Sequence, residues 1–196
     1  MARIRTFIAF AVPGRIAGEI VDLQRELAVD HEGVKWMMEK ELHLTLLFLG
    51  EVDELDLVSV CRAVKKIAAK HPSFALDVTG MGGFPNKRRP KVLWAGIGGE
   101  GIDNLLALHK ELEAALMEIG CYRREERAYT PHLTLGRIST EERDEAWGPV
   151  FTKHADWNAG TFSVNEVLVM GSELRRSGPE YSVIGRGALA SATNDE

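Results

Sequence analysis

Apolar and polar positions along the chain change period in a regular order. Residues 5–12 (RTFIAFAV) form a nearly continuous apolar run of buried-strand length, ended by Pro13-Gly14. Ile16, Ile20, Leu23 and Leu27 then recur at helical spacing and predict an amphipathic helix reaching Ala28. Residues 30–33 read as a turn, 34–38 as a short strand, and 42–49 (LHLTLLFL) as a strand closed by Gly50. A second helix is expected over 54–70. Leu57, Val60, Cys61, Val64 and Ile67 form its buried stripe, and His71-Pro72 stops it. Residues 74–78 alternate as a strand, and 81–91 read as a loop with a basic end.

The same order then recurs. Residues 92–97 predict a strand, Gly98-Gly99 a break, and 102–119 a helix capped by Gly120. After a polar stretch and Pro131 comes the strand 132–138 (HLTLGRI). A short helix over 140–147, followed by Gly148-Pro149, and strands over 162–170 and 181–184 complete the chain. A strand, a helix and an HLTL strand thus occur twice, over 5–49 and 92–138. That period is far longer than those of solenoid repeats and reads as an internal duplication, with two halves about a pseudo-two-fold axis. The predicted class is α+β: bilobal, with duplicated antiparallel sheets, helices on the outer faces and a central cleft that takes one HLTL strand from each half. Residues 1–188 read as one domain, and 189–196, small and polar, as a disordered tail.

Composition narrows the function classes. Of 196 residues, 45% are hydrophobic and 27% charged, as in an ordinary globular protein. No run approaches the roughly 20 apolar residues of a membrane span, and the N-terminus lacks a signal-peptide pattern; a cytoplasmic monomer is the expectation. The net charge of −5 disfavours a protein that coats duplex nucleic acid, since such proteins bind by neutralising phosphates. It leaves room for a local cationic pocket that grips an RNA end. The two cysteines, Cys61 and Cys121, form no CxxC motif, and Cys61 reads as a buried free thiol.

The candidate chemistry lies in the two HLTL strands. Residues i and i+2 of a strand share a face about 7 Å apart, so His43 joins Thr45, and His132 joins Thr134, while the leucines face the core. A single HxT on a strand says little, because a half-exposed strand carries such residues by chance. Two copies, each after a strand–helix unit, are specific. One neutral imidazole can activate a hydroxyl or water and one protonated imidazole can donate to a leaving oxygen; two hydroxyls can hold non-bridging phosphoryl oxygens. This chemistry calls for no metal and no other cofactor, and no histidine pair has helix-face metal spacing.

These residues resemble the two-histidine phosphoesterases, in particular the RNA 2′,3′-cyclic phosphodiesterases also called 2′-5′ RNA ligases. The matching stretches are Arg5-Thr-Phe-Ile-Ala9, Leu42-His-Leu-Thr-Leu-Leu-Phe-Leu-Gly50, Gly83-Phe-Pro-Asn86 with Arg89-Pro90, Val92-Leu-Trp94, Pro131-His-Leu-Thr-Leu-Gly-Arg137 and Ser172-Glu-Leu174. The resemblance implies a bilobal fold, His43 as proton donor, His132 as proton acceptor, and opening of RNA 2′,3′-cyclic phosphate ends to 2′-phosphates, with 2′-5′ ligation when a 5′-hydroxyl replaces water. The two halves alone do not say which histidine is acid and which base. Gly136 stands where the family commonly has alanine, and Tyr129-Thr130 before Pro131 is less typical of it.

Three features stay open at this level. Arg137, five residues past His132, falls on the far face of an ideal strand unless the strand bends near Gly136; it is either a phosphate contact or a solvated strand end. Arg88 and Arg89, in the basic loop 87–91, are either a clamp on RNA phosphates or a solvated surface. His109 reads as helix-boundary packing. The rival functions are a phosphodiesterase of small cyclic nucleotides and a non-catalytic RNA-end binding module.

Overall fold

The protein is described here from a computed structural model, over residues 2–124, 127–139, 147–175 and 178–191. Its elements in chain order are β1 (Arg3–Ala11), α1 (Gly14–Ala28), β2 (Val34–Trp36), a 3-10 turn (Glu39–Glu41), β3 (His43–Asp53), α2 (Glu54–Ala68), β4 (Phe74–Phe84), β5 (Val92–Gly98), α3 (Ile102–Ile119), β6 (His132–Ile138), α4 (Trp147–Lys153), β7 (Asn158–Val164), β8 (Glu166–Arg175) and β9 (Gly178–Ala188).

The strands form one curled antiparallel sheet in the order β7-β4-β5-β6-β3-β1-β8-β9, with β2 added alongside β6. That order carries the duplication. From the β6/β3 junction outwards, each half has its HLTL strand, then the strand that opens the duplicated unit, then two more. The class is the predicted α+β. The two sheets, however, are joined edge to edge, through Leu44 opposite Leu133, into one surface. The core lies on the helical face, where Leu44, Leu133 and Leu135 are fully buried with Leu105, Leu108, Leu112 and Leu116 of α3.

The halves also trade helices. Helix α1, which follows β1, packs against β7 of the other half, and Arg15 donates to the Thr161 carbonyl there at 2.8 Å. Helix α3, which follows β5, packs against β3 and α2. Buried Gln24 of α1 donates to the carbonyls of Met37 and Leu135, at 3.0 and 2.8 Å, tying α1 to the segment where β2 meets β6.

Some boundaries differ from expectation. β3 does not stop at Gly50 but runs on to Asp53, because the register against β1 shifts there and Gly50 takes a positive φ of 71°. β4 runs to Phe84, through a segment that its glycines made read as a loop. Gly82 is bare because the Trp94 indole of β5 lies over it: a Cβ would sit 2.1 Å from Trp94 Cζ2. Gly148-Pro149, expected just after a helix, instead lies within α4, which runs on to Lys153. Residues 140–146 of the expected short helix lie outside the described residues. The expected tail starts too early: Leu189 donates to Asn165, and Ala190 exchanges backbone bonds with His71 and Ser73. Residues 192–196 lie outside the described residues.

Candidate active site

With Leu44 opposite Leu133, the antiparallel register sets His43 opposite Thr134 and Thr45 opposite His132. The four side chains therefore form a compact diamond, with the histidines on one diagonal and the threonines on the other. All four line a cleft of about 460 Å³ on the face away from the buried leucines.

Both imidazoles are held alike. His43 Nδ1 lies 2.7 Å from the Glu41 carbonyl oxygen and His132 Nδ1 lies 2.7 Å from that of Thr130. A carbonyl only accepts, so Nδ1 carries a proton in each ring and Nε2 is left for the cleft. His43 packs against Phe7 and Tyr181, with ring centroids 4.7 and 5.2 Å away, and His132 against Phe84 at 4.9 Å. This burial lowers the pKa of both from the ordinary value near 6.5, because a charged ring loses hydration. Neighbours also act on each ring. The bond to its carbonyl raises each. Glu41, itself only 7% exposed, favours imidazolium at His43 while the charge of His132 disfavours it there, and Arg137 disfavours it at His132.

Arg137 reaches the cleft through a bulge. Trp94 pairs with Thr134 but Leu93 pairs with Gly136, so Leu135 is skipped and the alternation is reset. Arg137 then faces the cleft and Ile138 the core. The same skip occurs in β3, where Ala9 pairs with Thr45 and Ile8 with Leu47. The position matching Arg137 there is Phe48, which lies 5.8 Å from Phe7 in a near-parallel stack and carries the Arg5 guanidinium 5.1 Å above its ring. Symmetry in the backbone thus coexists with asymmetry in charge.

The other expected site residues, Arg88 and Arg89, are not among those lining the cleft. Their loop turns on Asn86, whose Oδ1 accepts both backbone N–H groups at 3.0 and 2.9 Å, at the exposed end of the β4–β5 hairpin.

The duplicated sheet and paired HxT strands have a direct counterpart among known proteins. The sequence pattern of the LigT-like phosphoesterases matches residues 10–94 and again 97–181, each stretch containing one HLTL strand. The chain belongs to this family. LigT-like relatives include a Thermotoga maritima protein named RNA 2′,3′-cyclic phosphodiesterase, 32% identical over 92% of this chain and 93% of its own length. An Aquifex aeolicus protein of the same name is 29% identical, covering 94% and 96%. Among solved structures, a Thermus thermophilus protein superposes with a TM-score of 0.80 at 27% identity, over 96% of this chain and 100% of that one. E. coli LigT complexed with 3′-AMP gives a TM-score of 0.76 at 26% identity, over 95% and 98%.

Several cleft residues were not singled out from the sequence as site residues. Arg5 and Phe7 sit in a strand that reads as core. Lys35 lies within a short, weakly patterned strand, and Glu41 in the 3-10 turn that follows it. His109, expected only to pack, stacks on Tyr129 at 4.0 Å with both rings at the cleft wall. The half-buried Tyr129 hydroxyl, its pKa pushed up by desolvation, donates to the Thr45 carbonyl at 2.9 Å. Only the unusual Tyr129-Thr130 pair before Pro131 hinted at this contact.

Proposed function

We propose that the protein opens RNA 2′,3′-cyclic phosphate ends to 2′-phosphomonoesters by acid–base catalysis between its two histidines, without a metal ion. The observation that carries this reading is the diamond of two imidazoles and two hydroxyls, with both rings held by Nδ1 and Nε2 presented to the cleft. Neutral His132 takes the proton of a water whose oxygen bonds to phosphorus. The bond from phosphorus to the 3′ oxygen breaks, and protonated His43 delivers its proton to that oxygen. Thr45 and Thr134 donate to the non-bridging oxygens, and Arg137 balances their charge. Glu41 beside His43 and Arg137 beside His132 favour the same division of roles that the family resemblance implies. The relatives' names support the substrate class. A 5′-hydroxyl in place of water would give a 2′-5′ linkage from the same site, but water's concentration favours hydrolysis. The rival of an RNA-end binding module is disfavoured, because binding alone requires no pair of opposed imidazoles.

The test uses an oligoribonucleotide ending in a 2′,3′-cyclic phosphate, with EDTA present. The expected product is the 2′-monoester, and His43→Ala and His132→Ala should each lower turnover by at least about 10²-fold, the scale for losing a general acid or base. A near-native rate in either folded variant would exclude the paired mechanism. Activity abolished by EDTA and restored by a divalent ion would exclude metal-free catalysis.

A further inference from the structure

Strand β2 is short, yet it places a second cation directly beside Arg137. The register pairs Val34 with Ile138 and Lys35 with Arg137. Val34 and Ile138 are buried on the core face, so Lys35 and Arg137 project together from the other face, and both line the cleft. Like charges directly opposite one another on neighbouring strands repel. Among the described residues neither has a carboxylate within ion-pair distance. The structure nonetheless holds the pair firmly. Gln24 clamps the carbonyls of Met37 and Leu135, and Met37 N–H donates to Leu135 at 2.9 Å.

The cleft as a whole has more positive charge than the scissile group needs. Arg5, Lys35, Arg127 and Arg137 line it, against the carboxylates of Glu41 and Glu113, and Glu113 is already engaged by Arg124 at 2.9 Å. A cyclic phosphodiester brings a single negative charge. This surplus stands on a protein whose net charge is −5, so it is a local feature and not a general basicity.

We propose that Lys35, next to Arg137, forms an anion subsite for a second phosphate, the internucleotide phosphate upstream of the cyclic end. The substrate class is then an RNA strand of two or more nucleotides in preference to a mononucleotide 2′,3′-cyclic phosphate. This rests on the reaction proposed above and adds to it the part of the substrate beyond the reacting phosphate. Arg137 answers the charge at the scissile group, through its proximity to His132, and Lys35 answers the next one along the strand.

The experiment compares Lys35→Gln and Lys35→Arg with the native protein. Binding is measured from 50 to 200 mM salt for two product-like probes that are not turned over: a trinucleotide ending in a 2′-phosphate and a nucleoside 2′-monophosphate. For the trinucleotide, Lys35→Gln should reduce the slope of log K against log salt by about 0.7, the amount for one phosphate contact on a single strand. Lys35→Arg should restore the slope. The preference for trinucleotide over mononucleotide cyclic phosphate in kcat/KM should fall in Lys35→Gln. Equal losses on both probes would place Lys35 at the scissile phosphate and overturn the proposal, as would an unchanged slope. If the native protein binds the trinucleotide with this Lys35-dependent slope but opens no cyclic phosphate, the subsite stands and the proposed reaction fails.

Discussion

At the scale of single residues, the site is two similar rings in unequal surroundings. Burial lowers both imidazole pKa values. The free enzyme's kcat/KM should therefore be bell-shaped, with limbs shifted down from about 6.5. Activity falls with decreasing pH as His132 becomes protonated and can no longer accept. It falls with increasing pH as His43 loses the proton it must donate. A pH–rate series with His132→Ala, which should lose the acidic limb, and His43→Ala, which should lose the basic one, checks the assignment. An acidic limb above the ordinary histidine value, or a flat profile, would contradict it. The same shifts carry a stability consequence. The folded state binds fewer protons at these rings than the unfolded chain does, so their contribution is present above about pH 6.5 and is lost as the pH falls through their folded values.

At the scale of elements, each histidine depends on the short segment before its strand. Glu41 anchors one: its carbonyl holds His43 and its carboxylate accepts from the Met38 N–H at 2.9 Å. The other is anchored by Tyr129, whose neighbour Thr130 holds His132 and whose hydroxyl is tied to the Thr45 carbonyl on β3. Tyr129→Phe keeps the stack on His109 and removes only that bond. A hydrogen bond of about 1 kcal/mol corresponds to roughly fivefold in rate, so kcat should fall by about that factor while KM stays near its native value. The acidic limb should move to lower pH, since a loosened Thr130 carbonyl no longer favours the charged ring of His132. A Tyr129→Phe protein that melts earlier but keeps the native kcat and pH profile would reduce Tyr129 to a structural contact. A basic loop such as 87–91 is easy to notice in a sequence. The structure instead puts Lys35, from a three-residue strand with little pattern, at the cleft wall, because register and not local basicity decides which cations converge.

At the scale of the molecule, the two halves are interlocked. One sheet runs through both, α1 packs on the strand of the other half, and the α2–α3 contact is sealed by Glu111, which accepts from Lys70 at 2.7 Å and lies 2.8 Å from His71 Nε2. Such a fold should unfold as one unit. Urea unfolding followed by tryptophan fluorescence and by far-UV circular dichroism should give coincident transitions. Two separated transitions would show that the halves fold independently.

The sequence by itself determined the repeated strand–helix–strand units, the α+β class, the two HLTL strands and the identity of the four side chains at the centre. It could do so because these features are local: periods of two and 3.6 and a short motif are written in neighbouring residues. Tertiary structure alone decided the rest. It joined the two sheets at a single residue pair, exchanged the helices between halves, and brought Tyr129 to Thr45. It also used a bulge at Leu135 to turn Arg137 toward the cleft, where ideal alternation would have turned it away. Each of these depends on which distant strands become neighbours and in what register. One skipped residue reverses the face of every side chain that follows it, and the spacing of a motif along the chain does not record that skip.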